Sequence, residues 1–121
     1  MNKEEAIKLL TTDVKAWNKY RESNPDFTPD LSWVDLSVAN LQCANLEDAN
    51  LRGADLQDAN LIDADLFSAY LTYANLEDAN LRGANLTYAN LRGAHLRGAY
   101  LNKQHIPMLP ELLGINIAEN K

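Results

Sequence analysis

Several scarcities narrow what this chain can be. Its single cysteine, Cys43, cannot form an internal disulfide and is compatible with a reducing compartment. No long apolar run follows the acidic opening Met1-Asn2-Lys3-Glu4-Glu5, so neither a signal peptide nor a membrane span is expected and a soluble, cytoplasmic protein is the default. Histidine occurs twice, at His95 and His105, and no Cys/His cluster, phosphate loop or Gly-x-Ser-x-Gly motif is present. No cofactor or metal is therefore expected.

What the chain has in abundance is leucine at a fixed interval. From Leu31 to Leu101 a leucine falls at every fifth residue, through fifteen consecutive pentapeptides, and alanine precedes it by two from Ala39 through Ala99. Pro29 and Val34 alone interrupt that alanine column at its start. The unit is Ala-(Asn/Asp)-Leu-x-x, and a repeat this regular defines which residues share a core. On an α-helix, five residues advance the leucine by roughly 140°, which leaves no apolar stripe. On a continuous strand, an odd period sends successive leucines to opposite faces. A short extended piece followed by a corner keeps them together: Ala and Leu, two apart, point inward, and the other three residues face water.

The second residue after each leucine supports the corner. Gly53, Gly83, Gly93 and Gly98, with Asp48, Asp58, Asp63 and Asp78, suit the positive φ of a type II turn. Val38, Tyr73 and Tyr88 suit it poorly, so a different turn is expected at those corners. Cys43, in the same column, is expected to face outward.

The run Ala-Asn-Leu-Arg-Gly-Ala-Asp-Leu-Gln-Asp-Ala-Asn-Leu at 49–61 resembles the pentapeptide repeat family. The resemblance implies an all-β solenoid, a right-handed quadrilateral β-helix with about twenty residues per coil and hence about four coils here. Four-sidedness comes from the resemblance alone, because longer echoes such as Leu-Glu-Asp-Ala-Asn-Leu-Arg-Gly-Ala at 46–54 and 76–84 recur at thirty residues. With coils stacked at ~4.8 Å, the column is about 18 Å tall.

Three segments are expected: a capping helix and joint at 1–28, the β-helix at 29–103 and a C-terminal cap at 104–121. Residues 2–23 read as one helix, with Ile7, Leu10, Val14 and Trp17 on one stripe, Asn2 as N-cap to Glu5, and Asn24-Pro25 as the stop. Such a helix needs a surface, and the open end of the first coil is the nearest; Trp17 is expected to be buried there. The phrase Ala16-Trp17-Asn18-Lys19-Tyr20-Arg21 running into Pro29-Asp30-Leu31-Ser32 resembles the helical cap of cyanobacterial pentapeptide repeat proteins. Residues 24–30, with Pro25 and Pro29, make a stiff joint. After Lys103, Ile106 keeps the leucine phase, and one or two helical turns with Pro110 near their start and Gly114 as stop are expected. Leu109, Leu112, Leu113, Ile115 and Ile117 then cover the last coil. The rival is a weak dimer contact through 106–117, which resemblance to the fluoroquinolone-resistance proteins suggests.

A leucine-filled column offers no cavity for catalysis, so a non-enzymatic protein is expected. On a four-sided coil His95 and His105 fall on opposite sides, cannot share a metal, and are expected at the surface. The charges are more informative. Asp30 to Asp78 contains ten carboxylates against one base, Arg52, while 79–103 holds Arg82, Arg92, Arg97 and Lys103 and no acid. At twenty residues per coil, Asp35, Asp55, Asp58, Glu77 and Asp78 share the side of Leu36 and Leu56, with Asp58 and Asp78 stacked as a like-charge pair and Glu77 below Arg97. That side is a candidate surface for a basic protein partner; the plainer account is a solvated face that keeps a strand-rich protein in solution. Phe67, Tyr70 and Tyr73, near Trp33, Ile62 and Arg92, form a candidate aromatic patch.

The alternative, that the chain imitates DNA and binds DNA gyrase or another topoisomerase, follows from relatives that do so. Duplex DNA shows about ten charges over 18 Å, whereas the repeat block carries ten acids against five bases and is basic in its later part. The leading expectation is a rigid protein–protein interaction module without direct nucleic-acid or membrane binding.

Overall fold

A computed structural model describes residues 1–114. Each pentapeptide contributes one short extended piece and one turn, and four of them close a coil. Parallel bridges join residues twenty apart throughout, from Asp30 with Asn50 to Asn80 with Tyr100, so the coil is four-sided. Three hydrogen bonds between coils recur on each side. The leucine N–H donates to a carbonyl of the next coil at 2.7–2.9 Å, the corner N–H does so at 2.8–3.0 Å, and the N–H before leucine donates back to the preceding coil at 2.9 Å. The result is a right-handed quadrilateral β-helix.

The inside is as the period requires. Leu31 through Leu91 are at most 1% exposed, and Ala44 through Ala89 at most 4%, so large and small side chains alternate and fill the narrow interior. The residue before leucine locks each side in place from outside. Asn or Asp there accepts, through Oδ1, the N–H two residues on, as Asn50 does from Arg52 (3.1 Å) and Asp65 from Phe67 (3.0 Å). This Asx turn pre-forms the bend and explains why the position is almost always Asn or Asp.

The corners differ from expectation. Val38, Tyr73 and Tyr88 adopt φ of 63°, 60° and 60°, the same left-handed value as the other corners, where non-glycine residues lie between 56° and 63°. A left-handed conformation costs an L-residue about 1–2 kcal/mol, but the coil ladder supplies three hydrogen bonds per side, each contributing about 0.5–1.5 kcal/mol, and buries a leucine besides. The ladder wins, and every corner takes one conformation.

The N-terminal segment is two helices rather than one: α1 (Lys3–Thr12) and α2 (Val14–Ser23). Thr11 and Thr12 turn their hydroxyls back onto the carbonyls of Ile7 (2.7 Å) and Lys8 (2.6 Å), and Asp13 leaves helical geometry to cap Ala16 N–H at 3.0 Å. The chain restarts at Asp13 so that Ala6, Leu10 and Trp17 can all bury. Asn2 and Glu5 form the expected capping box. In the joint, Phe27 packs edge-on against Trp17 and Tyr20.

At both ends, side chains replace the backbone of the missing coil. Trp17 Nε1–H and Arg21 Nη1–H donate to Asn45 O (2.8 and 3.0 Å), and Arg21 Nη2–H donates to Glu47 O (2.8 Å). Asn18 Oδ1 accepts the Asn45 N–H at 2.7 Å. Burial pushes the Arg21 guanidinium below its ordinary pKa, and the carboxylates of Glu47, Asp48 and Asp65 oppose that shift.

At the other end a 3-10 helix, Lys103–Met108, leads into α3 (Leu109–Leu112). The 3-10 helix was not expected, and it breaks the leucine phase: Ile106 is 61% exposed, while His105, expected at the surface, is buried at 1%. Asn102 N–H donates to His105 Nδ1 (3.0 Å), which leaves Nε2–H to donate to Ala84 O (2.8 Å). Asn102 Oδ1 accepts the Gly83 N–H. Leu112 is buried, Leu109 and Leu113 are half-buried, and Gly114 ends α3 at φ 70°. The cover expected from Ile115 and Ile117 lies outside the described residues.

Candidate interaction surfaces

The twenty-residue register sorts outward residues onto four sides, numbered here from Leu31, Leu36, Leu41 and Leu46. Asp35, Asp55, Asp58, Glu77 and Asp78 all stand on the second side, yet they are not equivalent. Asp35 Oδ1 accepts from Ser37 N–H (2.9 Å) and Ser37 Oγ–H (2.6 Å), and Asp55 Oδ1 accepts from Gln57 N–H (3.0 Å). These two are turn-forming carboxylates. The Ser37 hydroxyl and N–H hold Asp35 below the usual aspartate pKa, and Ser32 does the same for Asp30 on the first side. Asp58 and Asp78 are exposed at successive corners, and Glu77 is half-buried beside them. Among the described residues the one ion pair is Lys3 with Asp30 at 3.9 Å, so Glu77 and Arg97 are adjacent in register without closing a bridge.

The aromatic residues divide. Phe67 lies on the fourth side, half-buried, with its ring edge-on to Tyr88 at 5.5 Å. Tyr70 and Tyr73 lie on the first side, 55% and 58% exposed, with Trp33 at 68%. At the first-side corner Trp33, Gly53, Tyr73 and Gly93 alternate up the column. The ring of Trp33 covers Gly53 and that of Tyr73 covers Gly93, where any β-carbon would collide with the ring from the coil below. Glycine here makes room, since other residues adopt the same φ without it.

Arg52 was not assigned to this patch by sequence reasoning, which paired the tyrosines with Arg92. Its guanidinium carbon sits 5.1 Å from the Tyr73 ring centroid, a cation–π contact, and Arg82 makes the same contact with Tyr100 on the third side at 4.8 Å. The signal was present in the spacing: residues 52 and 73 are one coil and one position apart. An open cleft beside Arg52 and Tyr70 is lined also by Thr28, Asn50, Asp30 and Asp48.

Chemically, the sides offer charge and aromatic surface. Among the described residues no group of three or more His, Cys, Asp or Glu is placed to hold a metal ion. Cys43 is free and exposed. No helix among them is long and apolar enough to cross a membrane.

These features define a class, the parallel four-sided β-solenoid closed at its N-terminal end by helices. The family model described as pentapeptide repeats (8 copies) matches the chain twice, at residues 30–66 and 64–102, and the chain belongs to that family. Among solved structures it is similar to a pentapeptide repeat protein of the Arabidopsis thaliana thylakoid lumen, with 38% identity, a TM-score of 0.59, and coverage of 60% of this chain and 50% of that one. It therefore spans about half the length of that protein. It is also similar to a pentapeptide repeat protein of Nostoc (40% identity, TM-score 0.41, 70% and 74% covered). A plasmid-mediated fluoroquinolone resistance protein matches at 18% identity and TM-score 0.33, covering 75% and 66%. Comparison with curated protein sequences finds no match.

Proposed function

We propose that this protein is a non-enzymatic, rigid protein–protein interaction module that works in the cytoplasm. The observation that carries this reading is a solid column whose interior is filled with leucine and alanine while aromatic and charged side chains stand exposed on flat, fixed sides. A preorganised β-surface gives up little conformational entropy on association. The second side, through Asp58, Glu77 and Asp78 with Asp35 and Asp55 beneath them, suits a basic partner. Phe67 beside the corner between the fourth and first sides, Tyr70 on the first side and Tyr73 at the far corner of that side suit an apolar one.

Affinity capture from native lysate tests the reading, with Asp58→Asn/Asp78→Asn and Phe67→Ala/Tyr73→Ala variants in parallel. A partner retained by the parent and lost from one variant of equal thermal stability supports it; capture of the same proteins by all three counts against it. A gyrase supercoiling assay tests DNA mimicry separately, and no inhibition is expected, because the acids are concentrated on two sides and the upper coils are basic.

A further inference from the structure

The first side joins three exposed aromatic rings to an arginine held in place. Trp33 lies over Gly53 and Tyr73 over Gly93, and Arg52 stacks on Tyr73 at 5.1 Å. Among the described residues the Arg52 guanidinium makes no hydrogen bond or ion pair, so its planar fork of donors remains available. Stacking restrains the guanidinium before any ligand arrives, which lowers the entropy lost when it binds a carboxylate.

We infer that the first side is a docking surface for an extended segment of a partner protein that carries carboxylates beside apolar or aromatic side chains, with Arg52 as the carboxylate receptor. The inference rests on the interaction-module reading and names the partner's chemistry. Charge complementarity selects that chemistry. On the first side the bases are Arg52 and Arg92, and the one acid, Asp30, is already engaged by Ser32 and Lys3. The flanking sides are net acidic: Asp35, Asp55, Asp58, Glu77 and Asp78 face only Arg97 on the second, and on the fourth Glu47, Asp48 and Asp65 outnumber the one base beside them, Arg21 of α2. A carboxylate centred on Arg52 is attracted, and one displaced to either flank is repelled, which sets the lateral register. A nucleic acid spreads its phosphates over a wider strip and would press them against those flanks. The third side carries its own Arg82–Tyr100 stack but lacks the companion rings.

The test selects a phage-displayed random peptide library on the parent protein, with counter-selection on Arg52→Gln/Tyr73→Ala. The expected result is enrichment of sequences with Asp or Glu next to aromatic or apolar residues. Synthetic versions should change the emission of exposed Trp33, with Trp33→Phe as blank. Arg52→Gln should weaken them at least about tenfold, Arg52→Lys should restore only part of that, and Arg97→Gln should leave them unchanged. No enrichment, enriched peptides without acids, or equal affinity for Arg52→Gln overturns the inference. A labelled oligouridine whose binding depends on Arg52 would overturn it too, by assigning the side to single-stranded nucleic acid. If selection fails while a lysate partner is lost from Asp58→Asn/Asp78→Asn, the docking assignment falls and the module reading stands.

Discussion

At the scale of the residue, the corners show a local preference overruled by a repeated one. Val38 is β-branched and sits at φ 63°, a conformation that suits glycine or asparagine. It is also exposed, so it contributes no burial in return. Val38→Gly should therefore raise the stability by up to about 1 kcal/mol after the entropy of glycine is deducted, measured as a higher midpoint in urea. Gly53→Ala should do the reverse, because its β-carbon would drive the Trp33 ring off the corner. The carboxylates obey a similar local logic. Asp30 and Asp35 are held below the ordinary aspartate pKa when folded by serine hydrogen bonds. Their contribution is complete above the unfolded pKa, and so is present at neutral pH, and it is lost as pH falls through the folded values. Ser37→Ala should return the Asp35 pKa toward its ordinary value, read from the carboxyl carbon shift in an NMR titration.

At the scale of the element, the two caps work by imitation. α2 presents Trp17, Asn18 and Arg21 to backbone groups that an additional coil would otherwise pair, and Asn102 and His105 do so at the far end. An edge left open would invite another chain to add to it. Asn18→Ala should free the Asn45 N–H and speed its hydrogen exchange while α1 and α2 remain folded. Arg21→Met should cost more, about 1–3 kcal/mol, because Glu47 O loses its donor while Asn45 O keeps that of Trp17, seen as a lower thermal midpoint. The apolar spacing at Leu10 and Trp17 was legible in the sequence as a cap. The break at Asp13 was not, because it depends on where the coil's edge places its unpaired groups.

At the scale of the whole molecule, stability is a matter of stacked neighbours. Leu61 is fully buried in the middle of the column, whereas Leu96 near its end is half-buried. Leu61→Ala should cost about 2–5 kcal/mol and Leu96→Ala distinctly less, compared by equilibrium denaturation. Because each coil contacts only the next, the middle substitution should also reduce the cooperativity of unfolding.

The five-residue period by itself determined the inside and outside of the column and the presence of corners, since only a turn after each short extended piece gathers leucine and alanine together. It also placed the acids of the second side, once twenty residues were taken per coil. Tertiary structure decided what a period cannot encode: that every corner shares one conformation, that Arg52 rather than Arg92 stacks on Tyr73, and that His105 enters the core in place of Ile106. Each of these turns on contacts between residues of successive coils, where backbone ladders and close-packed side chains outweigh the preferences of the residue alone.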